Sequence, residues 1–525
     1  MNVATRPWRR VRAGFRWLRM LSRPQRQTLM MMLLALATGV EFLENIMFVF
    51  ASSHIVGGIS ADPRSFALVQ AAYAVGSMMM ILKQQWLAQR FGYRRYLTAS
   101  LLLFMAGTLV AATSTGLQQL VLARFMQGVG GGALFTSCRI LVNLMFAPVD
   151  RPRASRIFML GIFGASALAP AFAAELIEHG VWQDVFYGVL PFAALATAGA
   201  WLLLPDAEPR DDTEGPALVP LLLFGVAIVA LQAAMTEARF DIFSHPLRVT
   251  VTGGIALALL GVFLWHQWHH AAPVLHLRAL RQPVYIAGLA MYFIYYMISN
   301  LSSYVFPIYA EQALGFPLAT TGWLNTFAAL ISLAGIWFYL RVARRLTHKK
   351  PVMVAGLLLM AGAMMWFSIM SPSVGPAALV PGLVAKGLFG VMVIIPIAGI
   401  TFSSLKGEDF GHGYRSKNLV RQIASSFASA IGAVLLQNRQ FAVHTSLVHA
   451  VGQRPAETAQ WMDAAQAALV ARGFDAGQAH AGALAQMAAI VDQQARLIAC
   501  EDLYRLIAAI AVLAAVFMLM QRRLD

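Results

Sequence analysis

The stretch Leu120-Val-Leu-Ala-Arg124-Phe-Met-Gln127-Gly128-Val-Gly130-Gly-Gly132-Ala-Leu134 decides how the rest of the chain is read. It lies inside an apolar run, 119–146, that exceeds the roughly 20 residues a helix needs to cross a bilayer. Into that run it places a guanidinium, Arg124, and an amide, Gln127. An arginine at membrane depth is costly, so Arg124 is expected to face protein or water and to have a partner. The competing reading is a snorkelling arginine that reaches the headgroups. Gly128 and Gly132 form a small-xxx-small face on which a second helix can pack closely.

Composition makes this run one of many. The chain has 525 residues, 59% hydrophobic and 12% charged. A soluble domain carries about 25% charged residues. Apolar runs long enough to span occur at 28–52, 66–87, 96–115, 119–146, 154–178, 184–204, 217–237, 247–268, 283–307, 321–342, 351–370, 377–402, 418–440 and 500–520. That is fourteen predicted crossings, and an all-α polytopic membrane protein. The net charge of +16 would suit a nucleic-acid partner if it were clustered on a soluble face, but it is distributed by side. The N-terminal arginines from Arg6 to Arg26 fall in loops on one side of the predicted helices. So do Arg90, Arg94, Arg95, Arg151, Arg153, Arg156, Arg210, Arg278, Arg281, the Arg341–Lys350 cluster, Lys406, Arg415, Lys417, Arg522 and Arg523. The other side holds only Arg64, Arg239, Arg248, Arg454, Arg472 and Arg496. The positive-inside rule then puts both termini in the cytoplasm, and no nucleic-acid partner is expected.

The organisation follows from the breaks. Residues 1–27 have no apolar core followed by a cleavage site, and are expected to form a basic cytoplasmic tail on the lipid bilayer. A six-helix bundle is predicted over 28–204. The acidic, turn-forming linker Pro205–Pro216 and two inserted helices fill 205–270, and a second six-helix bundle spans 283–520. Within the latter, 441–499 is rich in Ala and Gln and reads as helices broken near Gly452–Pro455 and at Gly473–Asp475, with Asp475 as an N-cap. The segment falls outside the inner membrane by count, as a periplasmic helical hairpin with a small-residue face. Only Cys138 and Cys500 are present, so no disulfide framework is read, and no Cys/His spacing suggests zinc. Trp265-His-Gln-Trp-His-His270 sits at a helix end where interfacial aromatics belong, and no metal is assigned to it.

Candidate functional side chains are those polar groups the bilayer penalises. Glu41 and Glu44 are three apart and share a face of the first helix. Neither ionises cheaply there, so both are candidates for carrying protons. The competing reading is a pair of hydrogen-bonded neutral acids, or a Glu41 that only pairs with an arginine. Arg124 is the expected counter-charge for Glu44. Tyr292, Tyr296 and Asn300, on an aromatic-rich helix interrupted by serines, with Gln127 and Lys386, are candidates for a substrate cavity. Packing and an interfacial aromatic belt are the alternative. No nucleophile or metal constellation supports an enzyme.

Several stretches together resemble the major facilitator superfamily, and within it the fourteen-helix drug:H⁺ antiporters of the EmrB/QacA type. Arg124 to Gly130 is similar to that superfamily's motif B, "R-x-x-Q-G-x-G". Arg90, Gly92 and Arg94 fall in a loop resembling motif A, with Gln85 and Gln89 replacing its Gly and Asp. Ala169-Pro170-Ala-Phe-Ala173-Ala174 resembles the gating motif C, with alanines for glycines. Leu43-Glu44 sits where the group has Leu-Asp, and Asn418-Leu-Val-Arg421-Gln422 also resembles it. The resemblance implies a major facilitator fold of two six-helix bundles plus two inserted helices, and a proton-coupled multidrug exporter of the bacterial inner membrane. It implies no cofactor beyond the coupling proton, and small-molecule substrates. A periplasmic adaptor and, through it, an outer-membrane channel are the implied protein partners. A dedicated exporter of a hydrophobic organic anion, such as a fatty acid, aromatic acid or siderophore, is the runner-up, supported by Lys386.

Overall fold

A computed structural model describes residues 22–521 apart from 62, 206–217, 243, 271–272, 274, 276, 279–280, 343–348, 404 and 406–407. Most of the basic N-terminal tail and the acidic linker, with the centre of the Arg341–Lys350 cluster, therefore lie outside the described residues. So do Arg522 and Arg523 at the C-terminus. The described residues contain helices and no strand.

The first half comprises α1 (Arg23–Phe50), α2 (Ser52–Gly58), α3 (Pro63–Phe91), α4 (Tyr93–Ala112), α5 (Leu117–Gly131), α6 (Leu134–Met145), α7 (Arg151–His179), α8 (Asp184–Tyr187) and α9 (Leu190–Leu203). Two helices follow, α10 (Leu218–Asp241) and α11 (Pro246–His269). The second half holds α12 (Pro283–Pro307), α13 (Leu318–Val342), α14 (Lys350–Phe367), α15 (Val380–Thr401), α16 (Glu408–Gly452), α17 (Pro455–Val470) and α18 (Ala476–Met520). Among the described residues 14 stretches are long and apolar enough to cross a membrane, making this a multi-pass membrane protein. An even number of crossings places both ends of the chain on one side, called the terminus side below.

Each half has its own core. One cluster runs from Met30 to Leu204 and the other from Met291 to Met518. Helix α1 packs on α7 and α5 on both α3 and α4, while α14 lies against α15 and α18. The halves meet where α7 packs on α13 and α3 on α16. Leu221, Phe224 and Ile228 of α10 fill the groove between Met78 and Leu82 of α3 and Leu419 of α16. Helix α11 rests on α10, and most of its remaining surface is apolar and exposed. That is the pattern of a helix facing lipid.

The glycines of the fourth span explain its tight seat. A Cβ on Gly128 would collide with the Tyr73 carbonyl of α3, and one on Gly132 with Ser77 of the same helix. A Cβ on Gly130 would instead meet Ser100 and Phe104 of α4. One glycine run thus lets α5 approach two neighbours at once. The expected single helix over 119–146 is broken between Gly131 and Leu134, because three consecutive glycines leave the backbone poorly held. Gly92 joins α3 to α4 with φ 80°, a left-handed conformation that glycine adopts without a Cβ penalty.

Two spans extend well beyond their apolar runs. Helix α16 begins at Glu408 and continues unbroken to Gly452, and α18 starts at Ala476, directly after the expected Asp475 cap, and runs without a break into its span. Helical hydrogen bonds do not stop where the bilayer does, and the Ala- and Gln-rich start of α18 is a good helix former. The extramembrane piece is therefore three helical arms: the end of α16, then α17, then the start of α18. Asp475 caps α18 by accepting from the Gln478 N–H at 2.8 Å. Helix α17 packs through Met462 and Leu469 onto Ala479 and Ala483 of α18.

Candidate functional site

Six residues before its far end, or roughly 9 Å at 1.5 Å per residue, α1 presents Glu44 to α5. Arg124 Nη1 donates to Glu44 Oε1 at 2.5 Å and to Gln127 Oε1 at 2.9 Å, while Nη2 donates to Asn45 Oδ1 at 3.3 Å. Gln127 passes the network on, donating to Thr108 Oγ1 of α4 at 3.0 Å, and Thr108 donates to the Phe104 carbonyl. The guanidinium is sandwiched between Phe48, 4.0 Å from the ring centroid, and Tyr73, at 4.4 Å. Arg124 is 1% exposed and Glu44 0%. Arg124 is held from several directions, whereas Glu44 Oε2 has no hydrogen-bond partner among the described residues. The carboxylate is thus the member of the pair with a free valence to take a proton.

One turn toward the terminus side lies Glu41. The Tyr73 hydroxyl donates to its Oε1 at 3.3 Å, and Arg421 Nη2 of α16 stands 3.8 Å from the same oxygen. Its Oε2 is also without a partner among the described residues. Two buried carboxylates on one helix face therefore differ in kind. Glu44 belongs to a tight pair within the first half, and Glu41 to a loose pair that crosses to the second.

The aromatic helix α12 supplies the second part of the site. Tyr292 and Tyr296 stack with centroids 6.0 Å apart, and Tyr292 also meets Phe402 at 6.3 Å. Asn300 donates to the Tyr296 carbonyl at 2.7 Å and accepts from Ser425 of α16 at 3.1 Å. Lys386 is partly buried with its Nζ 5.1 Å from the Phe306 ring. Phe306 is ten residues from Tyr296, about 15 Å along a helix, so Lys386 belongs to the far side and does not join the tyrosine pair. Lys417 occupies that place instead, with Nζ 4.7 Å from Phe135, 5.0 Å from Tyr414, 5.3 Å from Tyr292 and 5.7 Å from Tyr296.

The remaining candidates sit at packing positions. Pro170, inside α7, has no N–H to give to its helix; the next N–H, of Ala171, donates to Thr326 Oγ1 of α13 at 3.2 Å. A Cβ on Gly322 would press on Ala174 and on the Pro170 carbonyl. Pro170 thus lies where the two halves touch. Arg90 ends α3, and Arg94 is buried with its guanidinium 4.5 Å from the Trp201 ring. No group of three or more His, Cys, Asp or Glu among the described residues is placed to hold a metal.

Asn45, Tyr73 and Lys417 were not singled out by sequence reasoning. Tyr73 carries no sequence signal, whereas Asn45 carries one as an amide beside Glu44 inside an apolar run. Lys417, expected in a loop, is instead buried within α16. Lys417 and Arg421 also carry a signal: two cations four apart at the mouth of an apolar run share a face, where like charges repel.

The Major Facilitator Superfamily model matches residues 33–436. Among curated relatives, "Uncharacterized MFS-type transporter YhcA" of Bacillus subtilis (strain 168) is 24% identical over 78% of this chain and 77% of its own. "Putative multidrug resistance protein MdtD" of Klebsiella pneumoniae (strain 342) is 25% identical over 72% of this chain and 79% of its own. Among solved structures, a bacterial homolog of the human lysosomal transporter Spinster, inward-facing and unoccupied, superposes with a TM-score of 0.58. It is 13% identical and covers 95% of this chain and 98% of its own. A peptide transporter in complex with sulfate also reaches a TM-score of 0.58, at 16% identity over 94% of this chain and 93% of its own. With the matched model covering most of the length and the helical architecture agreeing, the chain belongs to the Major Facilitator Superfamily and is a membrane transporter, not an enzyme.

Proposed function

We propose that this transporter is a proton-coupled exporter of amphipathic, aromatic organic compounds, of the fourteen-helix drug:H⁺ antiporter type, in a bacterial inner membrane with both termini cytoplasmic. The observation that carries the reading is the buried Glu44–Arg124 pair. Protonating Glu44 removes the charge that holds Arg124 to α1, and Arg124 is already gripped by Gln127 on its own helix. Proton binding therefore loosens α1 from α5, a local event that a change between two arrangements of the bundle can read. Glu41 extends the relay to Arg421 in the second half, so the state of these acids bears on how the halves meet. The tyrosine pair of α12 offers flat apolar surface to a ring-bearing compound. The names of the MdtD relatives agree with export of drugs. The basic residues on the terminus side support the orientation. The three arms at 441–499, standing outside the bundle, are proposed as the contact for a periplasmic adaptor protein that passes substrate to an outer-membrane channel.

The test is transport by the purified protein in proteoliposomes, with an imposed pH gradient and a panel of amphipathic compounds. Gradient-driven accumulation that a protonophore abolishes is expected. Flux that ignores the gradient would make the protein a passive pathway and end the proposal.

A further inference from the structure

The charges facing the interface between the halves do not balance. Arg124 is matched by Glu44 and Arg421 loosely by Glu41. Lys417 and Arg139 are left over, and among the described residues neither forms an ion pair with a carboxylate. Lys417 is 4% exposed, and of its three donors one reaches Asn418 Oδ1 at 3.3 Å. Four aromatic rings surround the ammonium, and the charged groups acting on it, Arg421 and Arg139, are both cations. Arg421 lies one turn along the same face of α16, and its Nε and Nη2 have no hydrogen-bond acceptor among the described residues. Arg139 spends one donor on Ser155 Oγ at 2.7 Å. A glutamine or methionine would fill the place of Lys417 without the repulsion, so a cation there works against packing.

Resting on the exporter reading above, we propose that Lys417 and Arg421, with Arg139 nearby, receive the negative group of the transported compound, and that the substrates are organic anions: a carboxylate or sulfonate on an aromatic or amphipathic body. The anion meets donors on Lys417 and Arg421 that the protein leaves unpaired, and neutralises the excess charge. The apolar body lies along Phe42 and Tyr296, which are partly exposed where the surrounding rings are buried, and over which Arg421 and Lys417 sit. An organic cation of the same shape would meet three positive groups of which only one has a carboxylate. The site is about nine residues into α16, roughly 13 Å from its start on the terminus side, which is where a compound leaving the cytoplasm enters. Lys386, another cation without a carboxylate among the described residues, lies further toward the far side beside Phe306.

The test uses three ligands of one shape, naphthoate, naphthamide and naphthylmethylammonium, bound at equilibrium to the full-length protein in nanodiscs. Naphthoate should bind more tightly than the amide by about tenfold, the scale of one charge-assisted hydrogen bond, and the ammonium should not compete. K417Q should erase that preference and K417R should keep it. If the amide or the ammonium binds as well as naphthoate to the wild-type protein, the proposal is overturned, and no variant is needed to show it. Retention of the preference in K417Q overturns it too. Transport of the same compounds is scored separately: naphthoate that binds but is not moved by a pH gradient would end the exporter reading and leave the anion site standing.

Discussion

Arg421 reaches from α16 to within 3.8 Å of Glu41 on α1, an ion pair that ties the two halves of the transporter together at the level of its buried acids. The distance is longer than a good charged hydrogen bond, and Arg421 keeps 14% of its side chain exposed. The pair is therefore loose, unlike the 2.5 Å contact between Arg124 and Glu44. A double-mutant cycle over Glu41→Gln and Arg421→Gln, read from thermal unfolding, should give a coupling of about 0.5–1 kcal/mol. The same cycle at Glu44 and Arg124 should give several times more. Equal couplings would mean that the distinction between a tight and a loose acid is wrong.

Within the tight pair the two partners are not equivalent. Arg124 keeps Gln127, Asn45 and two aromatic faces when Glu44 is lost, whereas Glu44 has Arg124 as its one ion-pair partner among the described residues and an Oε2 without a hydrogen bond. Glu44→Gln should therefore fold and bind substrate while losing gradient-driven uptake into inverted vesicles. Arg124→Met leaves a buried carboxylate without its cation and should cost about 3–5 kcal/mol. Adding Glu44→Gln to that variant should restore most of the stability and none of the transport. pH-gradient-dependent uptake at the normal rate by Glu44→Gln alone would remove it as the proton carrier.

The glycine contacts can be tested without touching the charges. Gly128→Ala forces α5 away from the Tyr73 carbonyl, so it should lower stability by about 1–3 kcal/mol, as overpacking does. Gly254→Ala, in α11, meets nothing within 4 Å. It should be neutral or stabilise by up to about 1 kcal/mol through helix propensity. Matching effects from the two substitutions would contradict the packing.

The fold was legible because its signal is long and redundant: scarce charge and fourteen apolar runs. The pairing of Arg124 with Glu44 was legible for a related reason, since a buried cation near a buried acid has few other options. Arg421–Glu41 and the ring cage around Lys417 were not. They join residues from opposite ends of the chain, and nothing in a periodic apolar pattern says which face of α16 meets α1. Lys386 shows the same limit from the other direction. Its chemistry suits a cavity, yet only the structure shows it beside Phe306, about three to four helical turns from the tyrosines. The outer ends of α16 and α18 were legible, since Asp475 caps α18, which runs straight into its span, and α16 stops at Gly452. The start of α16 at Glu408 was not, because an apolar run marks the bilayer and says nothing about how far a helix continues in water.

Topology can be fixed with single cysteines in a background lacking Cys138 and Cys500. Val149, 88% exposed between α6 and α7, lies on the terminus side. Ser60, exposed after α2, and Glu457, exposed on α17, lie on the other. In intact cells an impermeant thiol reagent should label cysteines at Ser60 and Glu457 and leave one at Val149 untouched. Labelling at Val149 would invert the proposed orientation.

The arms at 441–499 divide into a neck and a tip with different duties. At the neck, Arg496 donates to Gln312 at 3.0 Å and Gln493 to the Ala313 carbonyl at 3.0 Å, while Gln440 pairs with Asp492 and Arg439 with Asp502. The first two contacts anchor the arms to the π-helical turn Ile308–Ala313, and the last two tie α16 to α18. The tip has no such ties. Of the expected small-residue face, Ala459, Ala464 and Ala468 of α17 and Ala471 just after it are exposed, with Trp461, Phe474 and Leu484, whereas Ala465 and Met462 turn inward against α18. An exposed face of small residues studded with a few large apolar ones suits packing against another protein's helices and is poorly matched to water. Replacing 445–488 with a short Gly/Ser linker removes the tip and spares the neck. Proton-driven uptake into inverted vesicles should then persist at near the wild-type rate, while co-purification of the adaptor and drug resistance of intact cells are lost. An adaptor that still co-purifies would show that it binds elsewhere. Vesicle uptake that fails, in a protein that still folds, would show that the tip takes part in moving the substrate across the membrane.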